Sequence, residues 1–310
     1  MKTINNSISI RKIASMLALT FFLLFLVDKI VFYFGTQLIA KSTYRFTQPY
    51  NNSATITDIL ILGNSRADQH FPRYEYKELR ILNLGNGWVG VPISQAIALD
   101  LLESHSPPKK LIIESSFLDY SGTGRAFGAI NSIFSERVES AVMLDSSSFQ
   151  KYARKVFFSL RFNENDLINT VFRIYNKDKK NLNTNSHIIS ETIKQKALES
   201  GRKLEIQPRN KALISNLIRK YKDKGIEVLL VSTPIHHSGI KGYTNIKQYI
   251  LDLDELAKNT NIRHINLIET YKNDDYFADS LHLNNKGQKA FLDSFFSCHL
   301  IDNPTKTCIW

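Results

Sequence analysis

Three residues have the types and spacing that acyl-transfer chemistry requires. Ser65 follows a short apolar run and would begin a helix, where its hydroxyl is exposed and backbone N–H groups can stabilise an anion. Asp279 precedes His282 by three residues, a spacing that lets the carboxylate orient the imidazole through Nδ1. A serine at a helix start is by itself most often only an N-cap. Together with a base and an orienting acid it predicts a nucleophile.

The elements that must position these residues follow from the hydrophobic pattern. Short β-branched or leucine-rich runs, bounded by Gly, Pro, Asn or Ser, alternate with helical patterns, as in buried parallel strands. This alternation predicts an α/β fold: a three-layer, doubly wound, mostly parallel five-stranded sheet of the flavodoxin-like type, which binds ligands beyond the carboxyl ends of its strands. The predicted strands are Asp58–Leu62, Arg80–Leu84, Lys110–Ile113, Glu227–Val231 and Ile262–Ile268, with a closing helix over about Asn285–Phe296.

The net charge of +11 is concentrated in one stretch of the chain. Residues 121–224 carry 20 basic and 10 acidic side chains, whereas 41–120 carry 8 of each and 225–310 carry 8 basic and 10 acidic. The strand–helix alternation also breaks over about 121–206, which predicts an inserted, partly helical segment. The sequence has no nucleic-acid module signature, so we expect no nucleic-acid partner. We expect the basic insertion to contact an anionic glycan or lipid headgroups.

The N-terminus has the pattern of an uncleaved signal anchor. Lys2, Arg11 and Lys12 precede a long apolar run, and a helix that extends to Phe34 is long enough to span a bilayer. This pattern favours a cell-membrane protein with a cytoplasmic N-terminus and its main domain outside. The predicted organisation is a cytoplasmic tail (1–12), a transmembrane anchor (13–35), a linker (36–56), an α/β domain (57–297) and a C-terminal tail (298–310).

The two cysteines allow two interpretations. Outside the cytoplasm, Cys298 and Cys308 could close a small C-terminal loop through a disulfide. They could equally remain free thiols. Their spacing does not indicate a metal site.

Three polar segments stand out beside the predicted strands and the closing helix: Gly63–Arg66, Asn83–Gly87 and Asp279–Asn284. In these segments the sequence resembles the SGNH (GDSL-like) hydrolase superfamily, and the similarity covers roughly 57–120 and 225–296. The resemblance makes Ser65 the nucleophile, His282 the general base and Asp279 its orienting acid, with no cofactor and no metal. Membrane-anchored members of that superfamily with this layout resemble proteins that add or remove acyl groups on cell-envelope polysaccharides, often beside a membrane-bound O-acyltransferase. The anchoring is also similar to that of the D-alanine transfer proteins of teichoic acid.

The oxyanion hole is where the chain departs from that family. The second segment of the family supplies a glycine N–H, and either Gly87 or Gly85 would take that place. The third segment supplies an asparagine after the third strand, but this chain has Leu118 there. Asn86 or Ser116 could substitute. Loss of one oxyanion donor costs about 100-fold or more in rate, so a degenerate site is an open alternative.

Two other polar positions lie near the expected site. Arg66 directly follows the candidate nucleophile and would bind an anionic substrate or pair with a neighbouring carboxylate. His236 follows the fourth predicted strand and would line the pocket. In extended chain its neighbour His237 would point the opposite way, which argues against shared metal ligation.

The sequence therefore supports two functions from different classes. The first is a membrane-anchored serine esterase or O-acyltransferase that acts on acyl esters, in the first instance acetyl esters, of an envelope polysaccharide. The second is a catalytically degenerate subunit of the same fold that binds glycan or scaffolds a membrane O-acyltransferase.

Overall fold

The fold is described from a computed structural model of the chain. The described residues are 10–40, 46, 50, 57–87, 89–104, 107–119, 133, 135–144, 147–157, 182 and 185–300. These ranges include most of the predicted α/β domain and parts of the insertion. The predicted cytoplasmic tail, linker and C-terminal tail lie largely outside them.

One sheet of six strands organises the domain. The strands are β1 (Ile59–Leu62), β2 (Glu75–Tyr76), β3 (Leu79–Asn83), β4 (Lys110–Glu114), β5 (Glu227–Ser232) and β6 (Arg263–Asn266). They lie in the order β2-β3-β1-β4-β5-β6. Neighbouring strands from β3 to β6 pair in parallel, whereas β2 pairs antiparallel with β3 at one edge.

The predicted five-stranded count is wrong by the one edge strand, and the sheet is mixed. Strand β2 is only two residues long, too short for alternation to indicate it. A tight reversal makes the pairing possible, because Lys77 adopts a left-handed backbone conformation (φ 55°) between β2 and β3.

Helices cover both faces of the sheet, so its side chains are buried on both sides. The described helices are α1 (Ile10–Ala40), α2 (Ser65–His70), α3 (Val91–Leu102), α4 (Glu136–Val142), α5 (Ser148–Val156), α6 (Glu191–Leu198), α7 (Pro208–Asp223), α8 (His237–Gly242), α9 (Ile246–Thr260) and α10 (Asn285–His299), with 3₁₀ helices at Ser115–Asp119 and Asp274–Tyr276. Leu60 and Leu62 of β1 belong to one core cluster, with residues of α3, α7 and α9, while Ile59 and Ile61 belong to the opposite cluster, with residues of α2 and α10.

Helix α1 is long and apolar enough to cross a membrane over Lys12–Phe34. Only 6% of the most apolar window of this helix is buried within the protein, so its apolar side chains face outward. That exposure is typical of a segment in contact with lipid rather than of a core helix. At the other end of the chain, Cys298 is disulfide-bonded, and Cys308, the only other cysteine in the sequence, lies outside the described residues.

Candidate active site

Ser65 is the first residue of α2, immediately beyond the end of β1. The turn between them needs a glycine, because a Cβ on Gly63 would lie 2.4 Å from the Cβ of Ala67 and 2.9 Å from that of Glu114. Asn64 caps the helix, accepting the N–H of Arg66 on its side-chain oxygen at 2.9 Å. The sharp turn therefore fixes the serine at the carboxyl edge of the sheet.

His282 and Asp279 meet Ser65 from a loop between β6 and α10. The Oγ of Ser65 lies 2.8 Å from Nε2 of His282, and Nδ1 of His282 lies 2.8 Å from Oδ2 of Asp279. The other carboxylate oxygen accepts the backbone N–H groups of Leu281 and His282, at 2.8 and 2.9 Å. The aspartate thus fixes both the imidazole and the backbone that carries it.

The environment keeps the Asp279 carboxyl ionised. Burial alone raises its pKa, but the hydrogen bond and charge of His282, together with the N–H groups of Leu281 and His282, outweigh burial and lower the pKa below its ordinary value. An ionised carboxylate holds the proton of His282 on Nδ1 and leaves Nε2 as an acceptor toward the serine.

The two candidate glycines have different surroundings. Gly87 lies beside Ser65, and a Cβ there would be 4.0 Å from both the backbone N and the Oγ of the serine. The N–H of Gly85 instead donates to the side-chain oxygen of Asn83 at 2.8 Å, and the residue packs against α2. Among the described residues, no backbone acceptor pairs with the N–H of Ser65 or of Gly87. Of the two glycines, only Gly87 therefore lies beside the serine with an N–H that has no backbone acceptor among the described residues.

We expect alanine at these two glycines to have unequal effects on stability. A Cβ on Gly85 would lie 2.6 Å from both the Cβ of Ala67 and the backbone N of Asp68, so Gly85→Ala should lower the free energy of unfolding by about 1–3 kcal/mol. At Gly87 the nearest atom would be at 3.4 Å, so Gly87→Ala should change it by less than about 0.5 kcal/mol. Denaturant unfolding of the detergent-solubilised chain measures both. Equal losses would contradict the distinction.

The second oxyanion donor is expected at the position of Leu118, with Ser116 or Asn86 as a substitute, and these three residues have different surroundings. Leu118 is fully buried in the core, and its aliphatic side chain has no hydrogen-bond donor. Ser116 lines the cavity beside Ser65, but its hydroxyl and its N–H both donate to Glu114. The N–H of Asn86 donates to the carbonyl of Gly63 at 3.1 Å.

Arg66 belongs to a buried polar network beneath the serine. Its side chain is only 7% exposed, and its guanidinium lies 3.7 Å from the fully buried carboxylate of Glu114 and donates to the carbonyl of Thr233. Glu114 also accepts from the hydroxyls of Ser116 and Thr233. This network joins the carboxyl ends of β4 and β5 to the helix that begins at Ser65.

A cavity of about 180 Å³ opens in front of the serine. Its wall is mixed: it includes Ser65, Arg66 and Gly87 together with apolar side chains such as Ile235 and Ile268. The insertion contributes Arg202, which is paired with Asp119, and Leu204. A pocket with an apolar part and a few polar groups is the usual form of a small-ligand site.

No family model and no curated protein matches the chain. A solved structure is similar to it over most of its length: a protein described as a proposed platelet activating factor from Streptococcus pneumonia. The two are 14% identical with a TM-score of 0.41, and the alignment covers 88% of this chain and 95% of that chain.

His236 has a different role from the predicted one, since its side chain is fully buried and is not part of the cavity wall. Its Nε2 lies 2.9 Å from Oδ1 of Asp274, its Nδ1 lies 2.8 Å from Oγ of Ser238, and its backbone N–H donates to the carbonyl of Ser280 at 3.2 Å. Residue 236 thereby supports the loop that carries Asp279 and His282.

The adjacent histidines do not point in opposite directions, because the chain turns into α8 at His237. Their ring centroids are 4.0 Å apart, and the donor atoms of His236, His237 and Asp274 lie within 4.8 Å of one another. This is the only cluster of potential metal ligands found among the described residues. Asp274 is also paired with Lys194, and its pKa is lowered to about 2, mainly by hydrogen bonds from Lys194 and His236. A metal ion would compete with the lysine ammonium for that carboxylate.

His70 is a supporting residue that the sequence analysis did not identify. It ends the helix that Ser65 begins and is fully buried, with its ring edge-on to that of His282 at 6.3 Å between centroids. Its Nε2 accepts the N–H of Leu283 at 3.0 Å, and burial, then the charges of Arg66 and His282, keep its pKa well below the ordinary value. A neutral histidine can accept this bond. No spacing rule links residue 70 to residue 283, so the sequence gives no signal for the contact.

Proposed function

We propose that the chain is a membrane-anchored serine esterase or O-acyltransferase that uses Ser65, His282 and Asp279. The observation that carries the proposal is the continuous line of hydrogen bonds from Ser65 Oγ through the His282 imidazole to Asp279, at 2.8 Å for each step, next to the cavity. A serine hydroxyl is a weak nucleophile until a base of this kind removes its proton.

In the first half-reaction, Ser65 Oγ attacks the carbonyl carbon of the ester while Nε2 of His282 takes the hydroxyl proton. The N–H groups of Ser65 and Gly87 stabilise the oxyanion of the tetrahedral intermediate. Collapse of that intermediate breaks the bond to the alcohol oxygen, which leaves with the proton from His282. Asp279 stays ionised and stabilises the imidazolium form.

The second half-reaction determines the class of enzyme. When water attacks the acyl-serine, His282 accepts a water proton and returns it to Ser65, and the product is a carboxylic acid. When a sugar hydroxyl attacks, the product is a new ester. The envelope polysaccharide as substrate, acetyl as the acyl group and a membrane O-acyltransferase as partner are proposed from the family resemblance alone.

One observation favours the second function, a non-catalytic subunit of the same fold. Leu118 is buried in the core at the position where the related family supplies an oxyanion-hole asparagine, and the hydroxyl of Ser116 already donates to Glu114. The backbone N–H groups of Ser65 and Gly87 would then have to stabilise the oxyanion without the asparagine that the family supplies at this position, at a cost of about 100-fold or more in rate.

Labelling with a fluorophosphonate probe tests the proposal on the full-length chain in detergent. We expect the wild-type chain to be labelled and the Ser65→Ala chain to be unlabelled, because the probe reacts with an activated serine. Ser215→Ala is the matched control: its hydroxyl donates to the carbonyl of Lys211 within α7, and labelling should persist. An unlabelled wild-type chain, or equal labelling of the Ser65→Ala chain, would contradict the catalytic assignment and favour the non-catalytic subunit.

The proposal also includes the location of the protein in the cell. The basic N-terminal tail lies in the cytoplasm, α1 crosses the cell membrane, and the α/β domain is on the outer side, where envelope glycans occur. A reporter that is active only outside the cytoplasm, fused after Trp310, should be active. Activity of a cytoplasmic reporter at that position would reverse the assigned sidedness.

A further inference from the structure

Part of the insertion packs against the membrane-spanning length of α1. The ring of Phe157, the residue after α5, makes edge-to-face contacts with Phe21 and Phe25, at centroid distances of 5.6 and 6.4 Å. Both partners lie inside the Lys12–Phe34 span, at least nine residues, or about 13 Å of helix, from its C-terminal end. If α1 crosses a bilayer, Phe157 therefore lies at the depth of the hydrocarbon.

The polar groups at this contact satisfy one another, as a low-dielectric environment requires. The last carbonyls of a helix have no partner within the helix, yet Nζ of Lys29 donates to the carbonyl of Val156, the last residue of α5, at 3.0 Å. A cation at this end also complements the helix dipole. Asp28 lies 3.7 Å from Lys29 and is only 4% exposed, whereas the surrounding apolar side chains of α1 are exposed. The two charges in the predicted span are thus paired and partly covered.

Helix α5 itself presents an apolar stripe to the outside. Phe149 and Tyr152, three residues apart on one face, are 79% and 69% exposed, although aromatic side chains of this size are normally buried. Ala153 and Val156 continue the same face by helical spacing. The other face carries basic residues, with Arg154 and Lys155 in the last turn. An apolar stripe with a basic opposite face is the pattern of a helix that lies in a membrane interface.

We propose that α5 is a membrane-inserted helix that enters the bilayer at the interface and ends against the anchor within the hydrocarbon, with Phe149 and Tyr152 in contact with lipid. The proposed occupant of the exposed stripe is the outer leaflet of the bilayer, because α5 ends directly on the spanning helix. The α/β domain then has two attachments to the membrane, which fix its height and orientation above the surface. This inference rests on α1 spanning the bilayer and is independent of catalysis.

Site-directed fluorescence on the full-length chain in phosphatidylcholine vesicles tests the proposal. A single cysteine replaces Phe149 or Tyr152 and carries the environment-sensitive NBD fluorophore, attached without reductant so that the disulfide of Cys298 stays intact. Leu251→Cys is the matched negative control, because Leu251 is a comparably exposed apolar residue (60%) on α9 of the α/β domain. Leu24→Cys, within α1, is the positive control for the bilayer.

We expect doxyl-labelled lipid to quench the fluorophores at 149, 152 and 24 at least twofold more than the one at 251, and aqueous iodide to show the reverse order. Iodide quenching at 149 and 152 equal to that at 251 would overturn the proposal. Quenching by neither agent would mean that protein, not lipid, covers the stripe, which also overturns it. If the label at 24 is not quenched by lipid, the premise that α1 spans the bilayer fails, and the inference fails with it. None of these outcomes depends on whether Ser65 is reactive.

Discussion

Replacing His282 with alanine is expected to slow hydrolysis of a small soluble ester such as p-nitrophenyl acetate by about 10⁴-fold or more in kcat/KM. Among the described residues, no other side chain hydrogen-bonds to the hydroxyl of Ser65, so the variant has no base to take its proton. The loop should keep its shape, because the carbonyl of residue 282 accepts the N–H of Ala278 at 2.9 Å and the substitution leaves that bond in place. The Ser65→Ala/His282→Ala double variant should be no slower than either single variant, because residues that act as one unit are not additive.

Asp279→Asn separates the charge of the aspartate from its structural role. Asparagine retains an oxygen that can accept the N–H groups of Leu281 and His282, but it favours the wrong imidazole tautomer, so we expect a rate loss of about 10⁴-fold with little loss of stability. The pKa of Asp279 is depressed, so its stabilising contribution is fully present above the unfolded value of about 4 and is lost as the pH falls through the lower folded value. Asp279 should therefore cause no change in rate or stability between pH 5 and 8.

Thermal unfolding of each variant is the control for these measurements. Variants that unfold at the wild-type temperature but hydrolyse the ester more than about 10⁴-fold more slowly support the catalytic assignment. If His282→Ala or Asp279→Asn keeps a tenth or more of the wild-type activity, the triad does not carry the reaction. Any esterase activity would then arise elsewhere on the chain.

The central part of the fold could be predicted from the sequence because burial on both faces leaves a continuous apolar run in each parallel strand. Strand β5, for example, is buried at five of its six positions. The edge strand β2 could not be predicted, since two residues carry no measurable period and its pairing depends on the left-handed turn at Lys77. The contact of Phe157 with α1 could not be predicted either, because it joins positions more than 130 residues apart.

The candidate site also has a part that could be predicted from the sequence and a part that could not. Asp279 and His282 are three residues apart, so local geometry already implies their contact. The turn after β1 indicates that Ser65 is exposed at the start of a helix. The sequence could not decide whether Gly85 or Gly87 supplies an oxyanion donor. In the structure the N–H of Gly85 donates to the side chain of Asn83, a contact that the sequence does not indicate. The sequence also suggested a pocket role for His236, yet its imidazole is buried against Asp274 and Ser238.

The partner of Arg66 is the most consequential contact that the sequence left open, and we expect its removal to have the largest effect on stability. Glu114→Ala should lower the free energy of unfolding by about 3–5 kcal/mol, because it leaves the guanidinium of Arg66, 7% exposed, without a counter-charge. Glu114 is fully buried and also accepts from Ser116 and Thr233, whose donors would lose their acceptor. Denaturant unfolding in detergent measures the loss.

Two comparisons make this prediction specific to a buried charge pair. Replacing both partners with apolar residues, as Arg66→Met/Glu114→Leu, should recover much of the loss, since a buried ion pair is costly to break but is often replaceable as a unit. Glu227→Ala removes ion pairs with Arg263 and Lys110, but the side chain of Glu227 is 39% exposed, so water screens both interactions and we expect a loss of about 1 kcal/mol or less. If Glu114→Ala costs no more than Glu227→Ala, Arg66 does not depend on this carboxylate. Because Arg66 adjoins Ser65, such a result would also mean that the network beneath the serine does not fix the turn that positions it.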